Sequence, residues 1–287
     1  MLIIANPAAG RARSGSLLTD RVIAALERRG CAVVLRRAGA ALGDVERLAR
    51  EAEPDFDVVV AAGGDGTVNA VVNGLAAAPR PLALLPLGTV NLLAREIGLP
   101  RHAEGLAAVI ATAPSRPIWP ARVGGRLFVS VASGGFDAEM VAAVDPRFKR
   151  RFGRLAFVWP ILRGLWRYRA SEISLRMDGI EHRAALVVVA KGRYYAGPFV
   201  AAPAARVADP VLHLVLLRRS GRLAVLRYLA ALVLGVLPRL RDVVILRGAA
   251  ARLSADTPGP VEADGEIVAR LPVDIAVSDK PVPLLQP

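Results

Sequence analysis

Residues 58–67 read VVVAAGGDGT. An unbroken run of valine and alanine with no polar alternation predicts a strand buried on both faces, as in a parallel sheet covered by helices. The glycines predict a tight turn, and the following VNAVVN predicts a helix from Thr67 to about residue 75. Strand, turn and helix in this order place the turn at the carboxyl edge of an open sheet, where ligands bind. Glycines let the backbone approach a ligand closely, and the helix start offers N–H groups and the positive end of a dipole. Thr67 adds a hydroxyl. A carboxylate such as Asp65 makes sense beside phosphates if it bridges to Mg2+ or holds a ribose hydroxyl. No Gly-Lys-Ser/Thr follows, so this is not a Walker loop, and it does not spell GxGxxG. The same residues also read as a plain strand-to-helix turn whose glycines serve geometry alone.

The surrounding chain repeats this grammar. Strands are predicted at 2–5, 32–35, 56–61 and 82–85, with helices at 16–29, 43–51, 67–75 and 90–97. Alternating β and α elements predict a doubly wound parallel sheet. Two further βα turns share its carboxyl edge: NPAAGR at 6–11, with basic Arg11 and Arg13, and PLGTVN at 86–91. Three glycine-containing turns on one edge form a nucleotide cleft. Near Pro114-Ser115-Arg116-Pro117 the pattern breaks. Beyond it, Gly124-Gly125 and Asp178-Gly179 are hairpin signals, and strands are predicted at 186–190, 211–217, 243–246 and 272–277. The expected fold is an N-terminal doubly wound α/β nucleotide-binding domain, residues 1–115, followed by a β-rich, sandwich-like domain, residues 116–287.

The 287 residues suffice for two cores, and 54% hydrophobic content excludes a disordered chain. The lone Cys31 excludes an internal disulfide and reads as strand core, which fits a reducing compartment. The net charge of +13, in which Arg greatly outnumbers Lys, suits nucleotide phosphates, nucleic acid or an anionic membrane. Residues 223–237 are apolar but interrupted by Arg227 and shorter than the ~20 residues a spanning helix needs, so they read as a buried or interface helix. No signal peptide is visible at the start.

Taken together, NPAAG, GGDGTVNAVVNGL and PLGTVNLLAREIGLP resemble the signature blocks of the diacylglycerol kinase catalytic family, which includes sphingosine, ceramide and bacterial lipid kinases. Two later stretches, 187–217 and VEADGEI at 261–267, resemble its second half. GGDGT alone is also similar to blocks of NAD kinases and 6-phosphofructokinases. The resemblance implies a kinase moving the γ-phosphate of ATP to a lipid hydroxyl, diacylglycerol by default, with ceramide or a sphingoid base as the alternative acceptor. More distant readings are an NAD kinase and a weakened relative that binds membrane and nucleotide without turnover. Residue by residue, it implies that Gly63, Gly64, Asp65, Gly66 and Thr67 hold ATP phosphates and the catalytic Mg2+. Asn6, Asn69, Gly88, Thr89 and Asn91 line the nucleotide site, and Arg11 and Arg13 stabilise the phosphoryl group in flight. Asp264 is the general base and Glu266 its support. Asp264-Gly265 is also, on its own, a strong hairpin-turn signal, and a turn can carry a base.

The chain departs from the family at Leu92 and Lys191, where Asp and Asn are common, and Asp209-Pro210-Val211-Leu212-His213 replaces an Asp-Gly-x-Leu-Asp pattern. The resemblance implies Asp209 as a ligand of a structural Mg2+, with no acidic support from position 92. Lys191 reads as a solvated cation or a phosphate contact. Residues 147–169 hold eight basic residues, no acid, and interleaved Phe, Trp and Tyr. That mixture suits an anionic bilayer surface, or a helix with its apolar face on the core. A cytoplasmic protein docked peripherally on a membrane, with no nucleic-acid role, is the expectation.

Overall fold

The computed structural model describes residues 1–7, 12–39, 41–143 and 172–287. They form two compact units, Met1–Ile118 with Lys280–Pro287, and Trp119–Asp279. The basic and aromatic stretch at 147–169 lies outside the described residues.

The first unit is the expected α/β layer structure. Its elements are β1 (Leu2–Ala5), α1 (Ala12–Glu27), β2 (Val34–Arg37), α2 (Leu42–Arg50), β3 (Val59–Gly63), α3 (Asp65–Gly74), β4 (Leu82–Pro86), α4 (Leu92–Glu96), α5 (Ala103–Thr112) and β5 (Ser115–Ile118). Strands β1 to β4 are parallel in the order β2-β1-β3-β4. The sheet continues through a strand from the far end of the chain, Val282–Leu285, which pairs parallel to β4 and antiparallel to β5. β5 carries Pro117 and sits at the sheet edge, where a missing N–H breaks no ladder.

Alternation along the strands separates two buried faces. Ile3, Val60, Ala62 and Leu85 pack with Val22 and Leu26 of α1 and Leu106 and Ile110 of α5. Leu2, Ile4, Val59, Ala61 and Leu82 are equally buried on the other face. Each such aliphatic side chain contributes roughly 1.5–3 kcal/mol. Cys31 is half-buried and precedes β2 rather than lying in it.

The second unit is a sandwich. Its strands are β6 (Ala121–Val123), β7 (Arg126–Phe128), β8 (Val131–Gly135), β9 (Ile173–Met177), β10 (Ile180–Ala184), β11 (Leu186–Ala190), β12 (Tyr194–Tyr195), β13 (Phe199–Val200), β14 (Leu212–Leu217), β15 (Val243–Gly248), β16 (Ala250–Ala255), β17 (Pro260–Ala263), β18 (Glu266–Arg270) and β19 (Val273–Val277). Helix α6 spans Phe136–Ala143 and α7 spans Arg222–Val233. Two antiparallel six-stranded sheets run β10-β9-β16-β19-β6-β7 and β15-β14-β11-β8-β17-β18. Phe128, Ile173, Leu175, Val187, Val189, Leu214 and Val261 fill their shared core. Among the described residues no helix is long and apolar enough to cross a membrane.

Helix α3 packs on α2 through Gly74, where a Cβ would stand 2.4 Å from the Glu46 carbonyl oxygen and 2.7 Å from Ala49 Cβ. Backbone cannot yield as a side-chain tip does. Gly74→Val is therefore expected to lower unfolding free energy by roughly 1–3 kcal/mol through overpacking. Gly43→Ala, at a position where an added Cβ meets nothing within 4 Å, is expected to show no loss. Denaturant titration of both variants checks this, and equal stability of the Gly74 variant would refute the close approach.

Candidate active site

The sheet order reverses direction between β1 and β3, since β2 lies on one side of β1 and β3 on the other. Loops leaving the carboxyl ends of such neighbours diverge and open a crevice. Asn6 follows β1, and the Gly63–Thr67 turn follows β3. The two are joined directly: Asn6 Nδ2 donates to Thr67 Oγ1 at 3.1 Å, in a buried contact. The Asn6 N–H also donates to the Ala62 carbonyl at 3.0 Å.

Each glycine here has its own steric reason. A Cβ on Gly63 would fall 2.2 Å from Thr67 Oγ1. Gly64 is extended and precedes α3, which starts at Asp65, two residues earlier than the sequence pattern suggests. The loop after β4 lies against this turn. A Cβ on Gly88 would stand 2.5 Å from Gly64 Cα, so the two loops touch backbone to backbone. The Leu87 N–H donates to the Gly63 carbonyl at 2.9 Å. Asp65 Oδ1 accepts the Leu92 N–H at 2.6 Å, tying the start of α3 to the start of α4. Asn91, in the left-handed region at φ 52, closes its own loop. Its Oδ1 accepts the Gly88 N–H at 3.0 Å and its Nδ2 donates to the Gly88 carbonyl at 2.7 Å.

The structure thus brings Asn6, Gly63, Gly64, Asp65, Gly66, Thr67, Gly88 and Asn91 to one sheet edge. Thr89 is exposed at the tip of the second loop. Asn69 is buried within α3, where its Oδ1 and its carbonyl accept from Asn73 Nδ2. Arg11 and the side chain of Arg13 lie outside the described residues. Among the described residues no three His, Cys, Asp or Glu side chains are grouped to hold a metal ion.

The second unit holds the other acidic candidates. Asp264 and Gly265 have φ 48 and 86, the conformation of a tight turn between β17 and β18, with Glu266 opening β18. The turn is also anchored. The buried Asp264 carboxylate accepts the N–H groups of Val129 at 2.8 Å, Ser130 at 2.9 Å and Val131 at 3.1 Å. Three amide dipoles answer its charge.

Beside this turn lies a buried acid pair that the sequence reading passed over. Ser133 Oγ lies 2.6 Å from Asp137 Oδ2 and 3.0 Å from Glu262 Oε1. Glu262 Oε2 accepts the Gly265 N–H at 3.0 Å, so Glu262 also holds the Asp264 turn. Burial, then the Asp137 charge, push the Glu262 carboxyl well above its ordinary value of 4.5. Burial raises Asp137, against hydrogen bonds from Ser133 and Tyr195. Tyr195 is raised well above its ordinary value by burial and then by Asp137. Glu262 is buried and Asp137 partly so, and two carboxyls that meet at one hydroxyl in such a setting hold a proton more tightly than exposed acids do. The available signal was Glu262 itself, an acid inside the apolar strand PVEA.

Lys191 differs from its expected solvated state. It is fully buried, with Nζ donating to the Asp209 carbonyl at 2.6 Å and the Val211 carbonyl at 2.9 Å. Burial lowers its pKa to about 8, opposed by the Asp209 charge, so it is an ammonium at neutral pH.

Because the folded chain binds the Glu262 proton more tightly than the unfolded chain, the associated stability is full below pH 4.5 and is lost as pH rises through the raised folded value. Glu262→Gln removes this loss. Thermal unfolding across a pH series is expected to show wild type falling relative to the variant above pH 4.5, and parallel curves would show that Glu262 does not titrate as its surroundings dictate.

Residues 1–123 match the diacylglycerol kinase catalytic domain, and residues 130–286 match the YegS C-terminal NAD kinase beta sandwich-like domain. A diacylglycerol kinase of Bacillus subtilis is 34% identical over 62% of this chain and 61% of its own length. A probable lipid kinase YegS-like of Pseudomonas putida is 34% identical over 61% of each. A Staphylococcus aureus diacylglycerol kinase is 28% identical over 99% of this chain and 91% of its own. Matches to the first two therefore span about 61% of those relatives. A solved Bacillus anthracis structure aligns over 100% of this chain and 94% of its own, with TM-score 0.80 and 23% identity. A diacylglycerol kinase structure from the same organism has TM-score 0.72, 19% identity, and coverage of 100% and 96%. At these identities the two structures speak for the fold alone. An α/β unit with its glycine loops at the carboxyl edge of its sheet, a β-sandwich following it in the chain and both domain models matched in that order place this chain in the diacylglycerol kinase family.

Proposed function

We propose that this protein is a lipid kinase that transfers the γ-phosphate of MgATP to a hydroxyl of a diacylglycerol-like lipid at a membrane surface. The observation that carries the reading is the pair of touching turns after β3 and β4, where Gly64 and Gly88 meet without side chains. Such a bare surface beside the α3 N-terminus suits polyphosphate. Relatives named diacylglycerol kinase support the acceptor class.

In this reading the lipid oxygen forms a bond to the γ-phosphorus as the bond to the ADP oxygen breaks. The chain's main task is positioning and charge stabilisation. Asn6, Thr67 and Asn91 fix the loops that hold the phosphates, and Arg11 and Arg13 answer the charge of the group in flight. Asp65 Oδ1 accepts the Leu92 N–H, which orients the single carboxylate that these loops would offer toward Mg2+. That suits an ion that arrives on ATP with phosphates as its main ligands. Asp264 takes the proton of the lipid hydroxyl, and its three amide donors hold the carboxylate in one orientation.

The proposed membrane contact has a counterpart on α7. Leu223, Leu226 and Val233, with Leu234 just beyond, form one exposed apolar stripe. Arg218, Arg219 and Arg222 are exposed at its N-terminal end, where positive charge disfavours the helix dipole. Cations placed against the dipole suit an anionic partner, and with the apolar stripe that partner is an anionic bilayer.

Purified protein with labelled ATP, Mg2+ and vesicles containing diacylglycerol, ceramide and a sphingoid base tests the reading. Labelled phosphatidic acid is the expected product. Label on ceramide or the sphingoid base would move the acceptor, and label only on added NAD would overturn the class. Asp264→Asn is expected to lower turnover by ~10²-fold or more with little change in ATP affinity; normal turnover would remove Asp264 from the mechanism. Leu223→Glu with Leu226→Glu, at exposed positions where fold stability changes by only about 0.5 kcal/mol, is expected to reduce co-sedimentation with phosphatidylglycerol vesicles. Unchanged sedimentation would exclude α7 as the docking face.

A further inference from the structure

The resemblance implies a structural Mg2+ at Asp209, and the residues present do not fit one. Mg2+ asks for six near-octahedral oxygens. Here the main-chain carbonyls of Asp209 and Val211 both accept from Lys191 Nζ. An ammonium and a divalent cation cannot share the same two oxygens, because their charges repel in a buried site. Position 92, the other implied acidic support, is Leu92.

The connection that carries these carbonyls has no regular structure. It runs from 201 to 211, between β13 and β14. Its apolar anchors are small: Ala201, Ala202, Ala205 and Val207 are buried. Irregular backbone in a buried setting needs partners for its carbonyls. Lys191 reaches it from the end of β11, whose pairing is prolonged by Lys191 N–H donating to the Ser130 carbonyl at 2.8 Å. The Lys191 side chain is one of the largest fully buried side chains in the chain. Burying an ammonium is unfavourable unless dipoles or an opposite charge answer it. Two carbonyls and the nearby Asp209 charge do so. His213, the next buried polar side chain on β14, has no hydrogen-bond partner at either ring nitrogen. Burial first, then the Arg247 and Lys191 charges, lower its pKa, and the Asp209 charge opposes them.

We propose that the Lys191 ammonium is a tethered cation that fixes the 201–211 connection through the carbonyls of Asp209 and Val211, so that this region holds its fold without a structural metal ion. The inference does not depend on the lipid acceptor or on Asp264.

The test is thermal unfolding of the full chain without nucleotide. Wild type is expected to melt at the same temperature in chelator and in millimolar Mg2+. Lys191→Met, which keeps the stem and removes the charge, is expected to melt on the order of 10 °C lower. In Lys191→Ala, propylammonium, which replaces the deleted atoms and charge, is expected to recover part of that loss, whereas tetramethylammonium is not. Wild type that gains stability from Mg2+ and loses it to chelator would overturn the proposal, because a metal site would then exist. Lys191→Met melting with wild type would overturn it too. If neither variant is recovered folded, the metal titration of the natural chain decides.

Discussion

No side chain can stand between Gly64 and Gly88, because a Cβ on Gly88 would lie 2.5 Å from the Cα of Gly64. The first unit is organised around that contact. It lets the turns after β3 and β4 lie in one layer, brings the Gly63 carbonyl within reach of Leu87 N–H, and allows Asp65 to cap Leu92. The buried strands below supply the rigidity. A strand covered on both faces has no freedom to shift register, so its terminal residues are fixed points.

A common device appears wherever charge is buried. Asp264 is answered by three N–H groups, Lys191 by two carbonyls, and Glu262 by a serine hydroxyl and the Gly265 N–H. Main-chain groups recur among these partners. Main-chain dipoles are already fixed by the sheets, so they lose little freedom on engaging a charge, unlike two long side chains. This explains how a chain with a large excess of arginine keeps its ions at the surface, where Arg28, Arg47, Arg183 and Arg252 pair with exposed acids.

Much of this was legible from residues close in sequence. The apolar run before Gly63 specified a buried parallel strand, and Asp264-Gly265 specified the tight hairpin that is seen. The family blocks located the glycine turns. What escaped depends on separation. The amides that hold Asp264 lie at 129–131, and nothing local to either segment announces the other. Lys191 after an apolar strand has the appearance of a solvated strand end. Only the later carbonyls of Asp209 and Val211 turn it inward. Glu262 was readable in principle, since an acid within an apolar strand demands a partner, but Ser133 and Asp137 could not be named from spacing. Helix starts shifted by a few residues because Asp65 enters α3 instead of ending the turn.

The strand Val282–Leu285 lies inside the first sheet, between β4 and β5, although the whole sandwich is synthesised between β5 and this strand. On the ribosome the α/β unit therefore emerges first and is completed last. Until the final strand arrives, β4 presents an unpaired edge, the kind of surface on which strands of other molecules add. The nascent sheet must either wait for its own carboxyl-terminal segment or be shielded meanwhile. A fusion or protease that blocks this segment would damage the first sheet through residues far along the chain from the strands they complete.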